Sequence, residues 1–246
     1  KSIESIYPYS PTGKFTPASA GADMCLEVLT LLAYLAAVTS TIKLATGITL
    51  IAQRNPVVLA KEMASLDVLS GGRLLLGIGA GYLHQEFSAL GVDFASRGAR
   101  TDEYIDALRA LWTQQKPSFQ GKHVNFSQID AQPRPVQSGG PPIIVGGASP
   151  AALRRAITRG QGWYGFAMSV DAAKKACAAI ELAGSRFERP ARLGKLELSI
   201  TPPKPPTKAM AEDYAAIGIS RLIPMLGFYK ESNILESLDN LATELL

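Results

Sequence analysis

Six short stretches of aliphatic and β-branched residues recur along the chain, separated by longer segments in which apolar positions follow the helical period. They are Ile42–Leu50, Leu74–Ile78, Pro142–Val145, Gly162–Phe166, Leu196–Ile200 and Leu222–Leu226. Their apolar character is nearly continuous rather than alternating, the pattern of parallel strands buried on both faces. The helical segments carry start and stop signals. Asn55-Pro56 places an N-cap before a proline at the first helical position, and Ser70-Gly71-Gly72 ends that helix. Ser149-Pro150 opens another helix in the same way, Thr101–Trp112 shows helical spacing, and Met210–Ile217 and Ile234–Leu245 close the chain. Met24–Val38 is apolar but carries Glu27 and is shorter than the roughly 20 residues a membrane span needs, so it predicts a buried helix.

Repeated βα units build either an open doubly wound sheet or a closed (β/α)8 barrel. A length of 246 residues suits the barrel, as one α/β domain spanning residues 1–246. Six strands fall short of eight. The segment from Lys1 to Ala22 holds a Ser-Pro-Thr-Gly turn and at most a strand remnant at Ser2–Tyr7, so the first one or two βα units are expected to be missing from this sequence. The long interval from Gly79 to Pro141 predicts two helices and an insertion with short strands at Phe119–Phe126, between the fourth and fifth barrel strands. Pro202–Pro206 predicts a stiff loop brace.

Composition narrows the function. With 47% hydrophobic residues and a net charge of +4, the chain is not a disordered segment. Lysines and arginines are scattered, which argues against a nucleic-acid surface and leaves room for a small anionic ligand. No signal peptide or membrane span is read. Cys25 and Cys177 form no CxxC pair and read as small apolar fillers in a reducing cytoplasm.

Three glycine-bearing strand ends hold the candidate chemistry. Gly77-Ile78-Gly79-Ala80-Gly81-Tyr82 has GxGxG rather than dinucleotide spacing, and reads either as tight packing or as close backbone approach by a ligand. Gly146-Gly147-Ala148-Ser149-Pro150 joins glycine N–H groups to a helix N-terminus, which is a phosphate site or an ordinary turn, with Arg154 and Arg155 adding charge. Gly47, inside the first strand, implies a bulge under a flat cofactor or a barrel kink. No hydrolytic triad or metal motif is present, and His84 and His123 stand in unrelated contexts. With no acid–base machinery legible, no catalytic residue is assigned, and a cofactor with its own reactivity is the expectation.

Taken together, these residues resemble the luciferase-like flavin and deazaflavin oxidoreductases. The resemblance rests on Arg54-Asn55-Pro56, Leu66–Leu74 (LDVLSGGRL) running into Gly77–Tyr82, Arg97–Glu103 (RGARTDE), Leu108–Trp112, Pro141-Pro142-Ile143 with Gly146-Gly147, and Gly160–Trp163. It implies a luciferase-like (β/α)8 barrel. Arg97–Glu103 and Pro8–Lys14 (PYSPTGK) look most like the branch using coenzyme F420, with FMN as the alternative cofactor. By resemblance, Gly47-Ile48 is a strand bulge, often with a cis peptide, that backs the ring, and Thr49 lies beside it. Gly81, Tyr82 and Gln85 line the ring or ribityl chain, and Gly146, Gly147, Ala148 and Ser149 cradle the phosphate. Tyr82 and Phe166 wall the substrate pocket, while Asp67, Arg73 and Glu103 are framework. The implied activity is hydride transfer to or from a small organic substrate by a homodimer. FMN-dependent monooxygenation and a non-catalytic ligand-binding barrel are the rivals. Two departures stand out: the family's acidic–His motif has no counterpart, and Gln161 stands where Asp is usual.

Overall fold

A computed structural model describes residues 26–225 and 234–245. The expected strand remnant at Ser2–Tyr7, the Pro8–Lys14 segment, Met24, Cys25 and Leu226 lie outside the described residues.

Helix α1 (Val28–Val38) begins at Glu27, whose side chain accepts the Thr30 N–H at 2.8 Å. It is not the buried helix that its composition predicts. Only Leu32 and Ala36, one turn apart, are buried, whereas Leu31, Tyr34 and Val38 are exposed. One face rests against neighbouring elements, and that single stripe is all it covers.

The first apolar run splits into β1 (Leu44–Ala45) and β2 (Thr49–Leu50), followed by a 3₁₀ turn and α2 (Pro56–Leu69), capped by Asn55. Next come β3 (Leu74–Gly79), α3 (His84–Ala89) and α4 (Arg97–Thr113). The insertion is a small antiparallel hairpin, β4 (Phe119–Gln120) and β5 (Asn125–Phe126), closed by stacking of Phe119 on Phe126 with centroids 5.9 Å apart. The chain continues through β6 (Ile143–Gly146), α5 (Pro150–Arg159), β7 (Gly162–Gly165), α6 (Val170–Arg186) and β8 (Glu197–Ile200), and then α7 (Lys208–Ala216), β9 (Arg221–Leu222) and α8 (Ile234–Leu245). Helix α6 falls in an interval where the alternation implies a helix but the sequence marks no bounds. It buries Ala173, Ala176, Ile180 and Ala183, mostly small side chains whose contrast with their neighbours is weak.

Seven strands pair in parallel in the order β1–β3–β6–β7–β8–β9, with β2 also on β3. The sheet is a curled half-barrel with helices on its outer side, not the closed cylinder expected from length. Because β1 and β2 are two parts of one broken strand, only six strand positions exist among the described residues, too few to bring β9 round to β1. Along β3, Leu74, Leu76 and Ile78 belong to the main core shared with α2 and α4, while Leu75, Gly77 and Gly79 alternate onto the other face. Parallel strands place all their C-terminal ends on one rim, and the candidate site is built there.

Candidate functional site

From Ala45 to Thr49 the first strand advances four residues while its partner advances three, Leu75 to Ile78. The extra residue makes a bulge. The Gly47-Ile48 peptide within it is cis, as the resemblance implies. The bulge turns the Thr46 carbonyl toward Gly77, where a β-carbon would lie 2.0 Å from that oxygen. The Thr46 hydroxyl donates to the Gly77 carbonyl at 2.7 Å and locks the two strands. Ile48 then reaches across the rim: a β-carbon on Gly79 would stand 2.5 Å from its Cδ1, and one on Gly146 3.0 Å. The glycines at 77, 79 and 146 therefore make room for the bulge. At Gly77 and Gly79 the GxGxG run packs closely, and the close neighbour is another strand of the protein.

At Gly81 the backbone takes φ +85°, and a β-carbon would meet Phe87 Cε2 at 2.7 Å, so the chain turns there against an aromatic wall. Phe87 packs edge-on to Phe94 at 5.4 Å, and the Arg97 guanidinium lies 3.8 Å from the Phe94 centroid while donating to the Gly81 carbonyl at 3.2 Å. Asp93 accepts the N–H groups of Ala95 and Ser96, and these bonds hold its carboxyl below the usual range. Tyr82 is exposed on the rim beyond this corner, and Gln85 is exposed in the first turn of α3.

The third strand end leads into α5. Gly147 takes φ +100°, its N–H bonds to the Tyr164 carbonyl at 3.3 Å, and its carbonyl accepts the Trp163 indole at 2.8 Å. Ser149 caps α5 by accepting the Ala152 N–H at 3.2 Å. The N–H groups of Ala148 and Ser149 donate to no protein acceptor among the described residues, so this exposed turn has anion-binding donors to spare. The expected help from Arg154 and Arg155 is absent. Both guanidinium groups close on Asp102 of α4, at 2.5 and 2.6 Å, and Arg155 also donates to the Gly98 carbonyl. Arg155 is buried, and a buried cation takes the carboxylate partner within reach.

Ile48, Gly79 and Gly146 thus meet at one rim, with Gly81 and the Gly147–Ser149 turn just beyond them. Phe166 is exposed past the end of β7. Thr49 is registered with Ile78 on the helix-facing side of the sheet, fully buried, and its hydroxyl has no partner among the described residues. The framework residues are tightly engaged. Arg73 donates to the carbonyls of Ser70, Ile42, Ala36 and Thr39 and to the Thr39 hydroxyl. Asp67, fully buried, accepts from the Gln137 backbone and amide, and Glu103 accepts three successive N–H groups from Lys122 to Val124. Gln161 accepts the Ile143 N–H at 3.0 Å, a brace at the opposite rim.

Three hydroxyls near the rim escaped the sequence reading. The Tyr164 hydroxyl lies 2.7 Å from the Thr201 hydroxyl, and Ser199 is buried, its own hydroxyl without a partner among the described residues. No motif marks them, since they meet only through the β7–β8 register. Among the described residues, no group of three His, Cys, Asp or Glu side chains could hold a metal ion, and no helix is long and apolar enough to cross a membrane.

A parallel half-barrel with glycine-lined strand ends converging on its C-terminal rim defines an α/β protein of the barrel-derived class. The chain belongs to the luciferase-like monooxygenase family, which it matches over residues 10–234. It is 40% identical over 136 residues to an uncharacterised protein of Mycobacterium tuberculosis (strain ATCC 25618 / H37Rv), covering 55% of this chain and 48% of that one. An FMNH2-dependent dimethylsulfone monooxygenase of Pseudomonas putida is 35% identical over 154 residues, 61% of this chain and 42% of the relative. The chain spans about half the length of the curated relatives it matches. Among solved structures, the monooxygenase RslO1 of Streptomyces bottropensis superposes with a TM-score of 0.63 at 25% identity, covering 89% of this chain and 63% of that one.

Proposed function

We propose that this protein is an FMN-dependent oxidoreductase of the monooxygenase type, holding the flavin at the C-terminal rim and acting on a small organic substrate. The observation that carries this reading is the meeting of three strand ends: Ile48 in contact range of both Gly79 and Gly146, with the capped α5 N-terminus beside them. The residues present fit the group. The Gly147–Ser149 turn offers unpaired N–H donors and a positive helix end to a phosphate, and Ile48 gives a flat apolar support to a ring. Tyr82 and Phe166, both exposed on the rim, supply aromatic walls for a substrate. Bound there, the flavin supplies the redox chemistry that no side chain of this rim provides. The chain's part is to position ring and substrate and to exclude water. A homodimer of this chain and a cytoplasmic location belong to the same proposal.

FMN is preferred to coenzyme F420 for two reasons. The named relative above uses reduced FMN. The Arg97–Glu103 segment that resembles the F420 branch spends its charges internally, Arg97 on Gly81, Asp102 on Arg154 and Arg155, and Glu103 on the Lys122–Val124 backbone. Arg154 and Arg155, the cations expected to greet an acidic coenzyme tail beside this turn, are both held by Asp102 instead.

Fluorescence titration tests the proposal. FMN is expected to bind saturably, and Gly147→Val is expected to abolish binding without unfolding the protein. Saturable binding of F420 with none of FMN would reverse the assignment.

A further inference from the structure

A second cleft lies at the other rim. It has a volume of about 540 Å³ and opens between α4, the loop before β6 and the 3₁₀ turn Ala191–Leu193. Gln161 at its edge bonds to Ile143 and Glu197, beside the N-terminal ends of β6 and β8, so the cleft lies away from the proposed flavin rim.

Four arginines gather here around one carboxylate. Arg159 takes Asp106 through its Nε and Nη2, at 3.1 and 3.0 Å from Oδ2. Arg189 spends its donors on the carbonyls of Ala156, Ile157, Gly160, Leu193 and Gly194. That leaves Arg109 and Arg192, both of which line the cleft. Arg109 donates through Nη2 to the Arg159 carbonyl, but its Nη1 is buried with no hydrogen-bond partner among the described residues. Arg192 is exposed and makes no hydrogen bond or ion pair among the described residues. Burial, together with repulsion from Arg192, Arg159 and Arg189, pushes the Arg109 guanidinium down to about 10 despite Asp106, so it is charged at neutral pH and short of a counter-charge.

We propose that this cleft binds a small phosphate ester, its phosphate held between Arg109 and Arg192 and its apolar body against Phe119 and Leu193. Two guanidinium forks match the charge and the oxygen geometry of a phosphate better than those of a single carboxylate. Thr113 and Ser138 add hydroxyls to the wall, and Phe119 and Leu193 give it an apolar side that inorganic phosphate would not use. The volume falls within the range of small-molecule sites.

Isothermal titration of the full chain with phenyl phosphate, phenol and inorganic phosphate tests this. Phenyl phosphate is expected to bind saturably, inorganic phosphate more weakly, and phenol not at all. Arg192→Ala, at an exposed position with no bond to lose, is expected to keep its melting temperature and to weaken phenyl phosphate about ten-fold, the scale of one charge-assisted contact. Arg109→Lys, which keeps the charge but not the fork, is expected to weaken it as well. No saturable binding of phenyl phosphate, or unchanged affinity in Arg192→Ala, overturns the site. Equal affinity for inorganic phosphate overturns the ester.

Discussion

A β-carbon on Gly77 would sit 2.0 Å from the carbonyl oxygen of Thr46, on the adjacent strand. No rotamer relieves that clash, because both atoms belong to backbone or are fixed to it. Gly77→Ala must push the bulge away from β3 and take Ile48 with it. The expected cost is about 2–3 kcal/mol in urea unfolding, the range for overpacking a tight core, together with loss of FMN binding. Thr46→Val removes only the hydroxyl's bond to the Gly77 carbonyl and is expected to cost about 1 kcal/mol.

Gly81→Ala meets two obstacles at once, φ +85° and Phe87 Cε2 at 2.7 Å. The expected loss is about 2 kcal/mol. Phe87→Leu in the same chain removes the ring but leaves the backbone conformation, so thermal unfolding of the double variant is expected to show partial rescue of the cost caused by the alanine.

Asp102 joins α4 to α5 through both Arg154 and the buried Arg155. Asp102→Asn leaves the Arg155 charge without its carboxylate and is expected to cost about 3 kcal/mol in equilibrium unfolding. Arg154→Ala, at the more exposed partner, is expected to cost less than about 1 kcal/mol.

Glu27 makes stability depend on pH. Burial works to raise its carboxyl, but the Thr30 N–H and the Arg54 guanidinium outweigh it and hold the group at about 2, against 4.5 ordinarily. A depressed carboxylate contributes stability that is complete above its unfolded value and is lost as pH falls toward its folded one. Glu27→Gln is therefore expected to melt below the parent at pH 7, with a gap that closes between pH 4.5 and 2. The side chain is 46% exposed and screened by solvent, so the gap is expected to be small.

Much of the fold was legible in local pattern. Leu74–Ile78, Pro142–Val145 and Leu196–Ile200 announced buried parallel strands within a residue or two of where they stand, and Asn55-Pro56 and Ser149-Pro150 marked helix starts by capping chemistry that acts within one turn. The bounds of helix α6 were not legible, because its buried stripe is largely alanine. Burial of α1 was overstated because a run of apolar residues says nothing about how many neighbours will cover it.

The candidate site divides along the same line. Its glycines, its helix cap and its bulge are backbone properties, and the sequence determined them through residue types that only a few conformations tolerate. That Gly77 makes room for Thr46, that Arg155 meets Asp102, and that the Arg109 Nη1 finds no partner among the described residues are decided by tertiary structure. Those outcomes depend on which distant segments arrive within a few ångströms, and electrostatic and steric energies are set by that distance rather than by separation along the chain.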